Sequence, residues 1–483
     1  MKSTPKLLNN NDTVLLKREL FSDLQLDRVI SEQTISVLQK PCTRNEIRRR
    51  NEVFELLEDG EYLEQMQNVL AVLSAAERSF YLLRDEKNSL DRYYRYREVL
   101  EGYIGSCESL ASMSALGGIF ADVSNYFSSE QMLSILADMK EASKRIKSLL
   151  RRLHIGLLSF SDKSWLTPDY DSVSEYDRIA QCAKALGFTV SDRKKQNIKI
   201  DFLLSDAICR LYADEISEIE AEISKFADVD LCEPFAYIPE IKFFLEINSL
   251  IKRANDTCVP HCYPRIAQAP RYVAKELYDI SLLAKNCKTI VPNDSDFTEN
   301  EPFCFLVGAN GGGKTTYIRA LGVNLVLFLS GCPVFASDAE IYPFDIVCAH
   351  FPMDERFDNI GRLDEEVNRT EVMLKTAQNK TAFLLFNETF SGTDDKRGFA
   401  LLKNCAEQIR ENKHFGLYVT HFYDVMSLDY PVLSAEVDFD DENKRTFRIV
   451  RSKGSASSYA MDILKKYRID RDSLSVRRNE YGN

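Results

Sequence analysis

The tightest constraint on this chain is a run of glycines, Gly308-Ala309-Asn310-Gly311-Gly312-Gly313-Lys314-Thr315, set between a short apolar segment, Phe303 to Val307, and a longer one, Thr316 to Leu329. The spacing is that of a phosphate-binding loop, and the context is the one such a loop needs, a buried strand before it and a helix after it. Glycines let successive backbone N–H groups curl around an anion, while the positive end of the following helix points at the same spot. Lys314 is expected to reach the β and γ phosphates of a nucleoside triphosphate, and the Thr315 hydroxyl to ligate Mg²⁺. Gly308, Ala309, Asn310, Gly311, Gly312, Gly313, Lys314, Thr315 and Thr316 thus form the expected ATP-binding segment.

Such a loop calls for a layered α/β sheet. Thr381 to Phe386 and Phe415 to Thr420 are two more short apolar runs, separated by helical stretches, and Ala435 to Phe439 and Thr446 to Val450 alternate like an edge hairpin. The run at 381 leads into Asn387-Glu388. An aspartate usually ends this kind of strand and holds a metal-bound water; Asn387 keeps an oxygen acceptor but lacks the charge, so its expected metal contact is indirect. Glu388 is expected to orient or deprotonate the attacking water, the competing reading being an acid at a helix N-terminus. His421, directly after Val419-Thr420, is placed to sense the γ-phosphate. The expected catalytic set is Glu388, His421 and Lys314.

Upstream the pattern is different. From Asp23 to Lys252 the sequence is dominated by helical periodicity, as in Glu46 to Glu58, Ser128 to Leu153 and Phe202 to Phe226, with FSDKSWLTPDYDSVSEYD (160–177) read as a loop. Pro260, Pro264 and Pro270 break the helices, which puts the expected boundary between a helical domain, 1–258, and an α/β ATPase domain, 259–483. The fold class is α+α/β. Leu321 to Ala336 is too short to span a bilayer, and the first twenty residues lack the apolar core of a secretory signal. A cytoplasmic location with reduced cysteines follows as an expectation, and Cys258, His261 and Cys262, with no second ligand pair, read as a turn and not a zinc site.

A net charge of −12 argues against a chain that coats nucleic acid through its overall field. Local basic runs remain, at Arg48-Arg49-Arg50, at Lys144, Arg145, Lys147, Arg151 and Arg152, and at Arg193-Lys194-Lys195. Each taken alone reads as a solvated helix face.

In order along the chain, GANGGGKTTYIRALG, Val334-Phe335-Ala336 with Phe344-Asp345, NETFSGTDDKRGFAL, Tyr418-Val419-Thr420-His421-Phe422 and Gly454-Ser455-Ala456-Ser457-Ser458-Tyr459 resemble blocks of the MutS family of DNA mismatch-repair ATPases. Val37 to Pro41 with Ile47, Arg50 and Val53 to Leu57 looks like the opening of that family's lever domain, and Pro239 to Pro264 like its end. The resemblance implies ATP and Mg²⁺ as cofactors, a homodimer with paired ATP sites, and levers that hold DNA. It also has departures. The mismatch-reading and connector domains are expected to be missing ahead of the lever-like sequence, and Phe244-Leu245-Glu246 matches the mismatch wedge by letters only. Gly361-Arg362-Leu363-Asp364 stands where the family has a Ser-Thr pair reaching the partner's ATP, which together with Asn387 implies slow hydrolysis. The clamp is expected to be reduced and the C-terminal extension abbreviated.

The leading expectation is a nucleotide-gated dimeric clamp that hydrolyses ATP and acts on DNA in repair or recombination without reading mismatches itself. The alternative is a nucleotide-binding scaffold or switch with little hydrolysis that binds a protein partner. A transporter-type ATPase fits poorly, since nothing here looks like a transporter's signature loop.

Overall fold

The computed structural model describes residues 15–113, 118–153, 155–160, 163–168, 184, 202–285, 287, 289–352, 362–437 and 445–452. Three helices come first, α1 (Arg18–Asp23), α2 (Glu32–Leu38) and α3 (Arg44–Leu57). Thr43-x-x-Glu46 starts α3 as a capping box: the Thr43 hydroxyl accepts from the Glu46 N–H, and the Glu46 carboxylate accepts from the Thr43 N–H. Two helix-end donors are satisfied reciprocally by four residues of local sequence.

Six more helices follow among the described residues, α4 (Gly60–Asp85), α5 (Ser89–Ala111), α6 (Gly118–Phe127), α7 (Glu130–Leu150), α8 (Phe202–Leu211) and α9 (Ala213–Ser224). Met66, Val69, Leu73 and Ala76 of α4 recur three or four residues apart and are all buried, the stripe that a helix packing on helices requires. The stretch read as a loop is corrected in part. β1 (Ile155–Phe160) and β2 (Lys163–Pro168) pair antiparallel, with Leu157 opposite Leu166 and Leu158 opposite Trp165. Apolar and aromatic residues on both arms, with only two residues between them, favour a hairpin over a polar loop; residues 169–177 lie outside the described ones.

The remainder comprises α10 (Ile238–Asp256), β3 (Arg265–Ile266), β4 (Tyr272–Leu277), α11 (Ser281–Ala284), β5 (Asn293–Phe297), β6 (Phe303–Val307), α12 (Lys314–Leu329), β7 (Asp338–Ile341), β8 (Ile346–His350), α13 (Arg362–Ala377), β9 (Ala382–Asn387), α14 (Asp395–Glu411), β10 (Phe415–Val419), β11 (Val432–Val437) and β12 (Arg445–Arg451). Six strands form one sheet in the order β12-β11-β6-β10-β9-β8, in which every pairing is parallel except β11 with β12. Every residue of β6, β8, β9 and β10 is buried, as parallel strands covered on both faces demand. Phe305, Leu384, Phe386 and Tyr418 pack on one face with Leu402, Cys405 and Ile409 of α14. A smaller sheet runs β3-β7-β4-β5. The expected strands at 303, 381 and 415 and the edge hairpin are present, whereas the smaller sheet and β8 were not anticipated.

By contacts the chain forms two compact units, one built on Asp59–Lys242 and the other joining the stretch up to Glu58 to Phe243–Asn483. The contacts therefore do not divide at 258/259. The reason is the far end of α12, where the last carbonyls are bound by the early helices. Cys42 N donates to Leu329 O at 2.6 Å, Ser330 Oγ to Leu38 O at 3.2 Å, and the buried Arg50 guanidinium to Ser330 O at 2.7 Å. A cation at a helix C-terminus is favourable as well as hydrogen-bonded.

Leu384→Ala should lower the unfolding free energy of the sheet-bearing unit by about 2–5 kcal/mol, because the site is fully buried between strand and helix. Urea unfolding followed by circular dichroism checks it; a cost below about 1 kcal/mol would contradict this account of the core.

Candidate nucleotide-binding site

The glycine loop joins the carboxyl end of β6 to the amino end of α12. Gly308 has φ +136°, and a Cβ added there would lie 2.9 Å from Ala435 Cβ. Gly313 has φ +94° and passes beside Phe447. Any larger residue at these two positions meets backbone strain, and at Gly308 it would also crowd Ala435 of β11. Among the described residues no side chain caps the amino end of α12, so its first N–H groups keep the orientation an anion would use.

Lys314 is only 4% exposed. Its ammonium donates to Gly308 O at 2.7 Å, Ala309 O at 3.2 Å and Asn310 Oδ1 at 3.4 Å, and stands 3.8 Å from a carboxylate oxygen of Glu388. Lys314 and Glu388, 74 positions apart in sequence, thus meet. Gly313 and Thr316 line one side of a cavity of about 210 Å³, whose other walls include Tyr278, Asp279, Asn293, Tyr317 and Phe447. Burial pushes the Asp279 carboxyl above its usual range, against the hydrogen bonds it accepts from Ser281 N and Oγ. Asn293 bridges the neighbouring strand, donating to Phe447 O at 3.1 Å and accepting from Ile449 N at 2.7 Å.

The turn after β9 is built around two left-handed residues, Glu388 (φ +52°) and Phe390 (φ +66°). Non-glycine residues in this region persist only where surroundings hold them. Here Glu388 N donates to Val419 O at 2.8 Å, Tyr418 Oη to Thr389 O at 3.0 Å, and Phe390 N to the Glu366 carboxylate at 2.8 Å. Asn387 Oδ1 and Thr389 Oγ1 are buried and without a hydrogen-bond partner among the described residues. Thr420 N donates to Leu306 O at 3.0 Å, which carries the pairing of β10 with β6 one residue beyond the strand, and the exposed His421 follows at once, its ring 4.4 Å from that of Phe422.

α13 crosses the ends of β8 and β9. Arg369 donates to Ala349 O and Phe351 O and pairs with Asp23, whose carboxyl burial raises to about 6 despite the guanidinium. Thr370 lies 3.2 Å from His350 Nδ1, and burial, helped by Arg369, lowers the His350 imidazole to about 3. Leu363 is partly buried against the sheet's core. Gly361 and the 454–459 block lie outside the described residues, as does the basic cluster at 193–195.

The site residues expected from sequence fall at the ends of three neighbouring strands, β6, β9 and β10, and in the first turn of α12. Not anticipated were Asp279, Asn293 and Phe447 of the cavity, or Glu366 beneath the Glu388 turn. Asn293 sits in a strand of sequence NDSDF, which carries no apolar alternation, and Glu366 reads in sequence as one more charge on an amphipathic helix.

Fold and loop together define an α/β domain with a strand, glycine loop and helix at its functional edge. Residues 304–472 match the family model described as MutS domain V, and over that stretch the chain is similar to the MutS family. It is 23% identical over 251 residues to the DNA mismatch repair protein MutS of Listeria welshimeri, covering 50% of this chain and 26% of that one. It is 33% identical over 148 residues to DNA mismatch repair protein msh-2 of Neurospora crassa, covering 30% and 16%, and 24% identical over 274 residues to endonuclease MutS2 of Staphylococcus aureus, covering 54% and 37%. The chain thus spans well under half the length of these relatives. No described helix is long and apolar enough to cross a membrane.

Proposed function

We propose that the chain is an ATPase in which ATP binding at the glycine loop gates a grip on DNA. The observation that carries this reading is the meeting of Lys314 and Glu388 at 3.8 Å beside an uncapped helix end. A triphosphate in the loop gives the ammonium stronger acceptors than the neutral carbonyls it now holds. The cavity beside Gly313 and Thr316 is of a size and lining suited to the nucleoside end. Glu388, held by the turn after β9, would align or deprotonate water, and His421 would read the γ-phosphate from the next strand end.

Mg²⁺ fits the donors present. Thr315, Asn387 and Glu388 all offer oxygen, which is what a small hard cation takes, and the unpartnered amide oxygen of Asn387 suits a hydrogen bond from a metal-bound water. Among the described residues no group of three His, Cys, Asp or Glu side chains could hold a metal, which fits an ion carried mainly by substrate phosphates. The ion would neutralise charge on the transferred phosphoryl group. A neutral Asn387 and the absence of a hydroxyl at Leu363 favour slow turnover.

For DNA, the named relatives supply the class and the helical unit supplies a surface. Lys144, Lys147, Arg151 and Arg152 at the end of α7 are exposed, and among the described residues none has a carboxylate partner, unlike Arg145, which pairs with Glu218 and Glu222. Exposed unpaired cations suit phosphate contacts. The dimer with paired ATP sites and the domain scheme of a helical lever, 1–258, followed by an ATPase, 259–483, belong to this proposal.

Lys314→Ala should abolish ATP binding measured by fluorescence with a labelled nucleotide; unchanged affinity would overturn the site. Asn387→Asp should raise the hydrolysis rate if the missing charge limits it, and a slower enzyme would refute that view. Replacing Lys147, Arg151 and Arg152 by Glu should weaken duplex DNA binding at least tenfold and flatten its salt dependence, with equal affinity of mutant and wild type counting against the α7 surface.

A further inference from the structure

The Glu388 turn is held at three backbone points, and two of the holders come from the sheet: Val419 O, which accepts from Glu388 N, and Tyr418 Oη, which donates to Thr389 O. The third, Glu366 Oε2 accepting from Phe390 N at 2.8 Å, comes from α13 and is the one with a formal charge. Glu366 is 6% exposed. A buried carboxylate is costly to maintain for packing alone, and a carboxylate–amide bond is among the stronger hydrogen bonds available in a protein interior. Phe390 sits at φ +66°, a conformation that a bulky side chain adopts only under constraint. The other residues on the same face of α13 also hold the end of β8: Arg369, three positions on, binds Ala349 O near the strand's end and Phe351 O just after it, and Thr370, four positions on, contacts His350.

We infer that Glu366 is a positioning residue for ATP hydrolysis: through the Phe390 amide it fixes the left-handed turn that aims Glu388, so that α13 sets the register of the hydrolytic carboxylate. This rests on the proposed ATPase reading. It adds to that reading that the turnover rate, and not nucleotide affinity, is controlled from α13. Glu366 itself touches no substrate. Gln at 366 keeps a carbonyl oxygen where Phe390 N points, and Ala removes the acceptor and leaves the amide unpaired in a buried place.

The test uses the full chain with Glu366→Gln and Glu366→Ala, read in two independent ways. In steady-state ATPase assays Glu366→Ala should lower kcat at least tenfold with KM for ATP within about twofold, and Glu366→Gln should recover most of that loss. A rise in KM at unchanged kcat, or a Gln variant as impaired as the Ala variant, would overturn the inference. Hydrogen exchange of the 387–392 segment is read in the same proteins without nucleotide. Glu366→Ala should lose protection there and Glu366→Gln should keep it, and unaltered exchange in a folded Ala variant would sink the inference whether or not the chain hydrolyses ATP. If wild type neither binds nor turns over ATP while the exchange difference appears, the ATPase reading fails and the tether stands.

Discussion

The candidate site depends on one constraint: five parallel strands, β8-β9-β10-β6-β11, are hydrogen-bonded side by side and therefore all end at the same edge. Parallel pairing forces each return through a crossover, so residues far apart in the chain arrive together at that edge. The glycine loop leaves β6, His421 follows β10, and Glu388 follows β9. None of these residues could meet without the sheet. The sheet in turn exists because FCFLV, AFLLFN and FGLYV have apolar side chains at nearly every position and must be covered on both faces.

The C-terminal hairpin also closes in on that edge. Gly308 and Gly312 lie against Ala435, Gly313 lies against Phe447, and Asn293 ties the backbone at 447 and 449 to a strand of the smaller sheet. The loop is thus walled by the C-terminal hairpin. Lys314, drawn back onto the loop's own carbonyls, has its charge satisfied by neighbours within the loop.

Much of this was legible in the sequence, for physical reasons. The glycine loop announces itself because its backbone conformation excludes other residues, and continuous apolar runs of five or six residues with turns on both sides have few alternatives to buried parallel strands. Capping boxes such as Thr43-x-x-Glu46 are equally local. What was hidden depends on distance. That the stretch up to Glu58 belongs with the C-terminal unit rests on Arg50 and Cys42 reaching residues 280 or more positions away. The β1–β2 hairpin was hidden by the polar residues around Trp165, and Glu366 by its resemblance to any solvated helical acid, since a single sequence does not reveal which charge is buried.

The bonding of Leu329 and Ser330 to Leu38, Cys42 and Arg50 carries a practical corollary. A fragment beginning at residue 259, the natural cut from sequence, would strip the far end of α12 of its guanidinium and amide donors. Such an excised piece lacks these partners, and recombinant work on the glycine loop is better served by retaining the early helices.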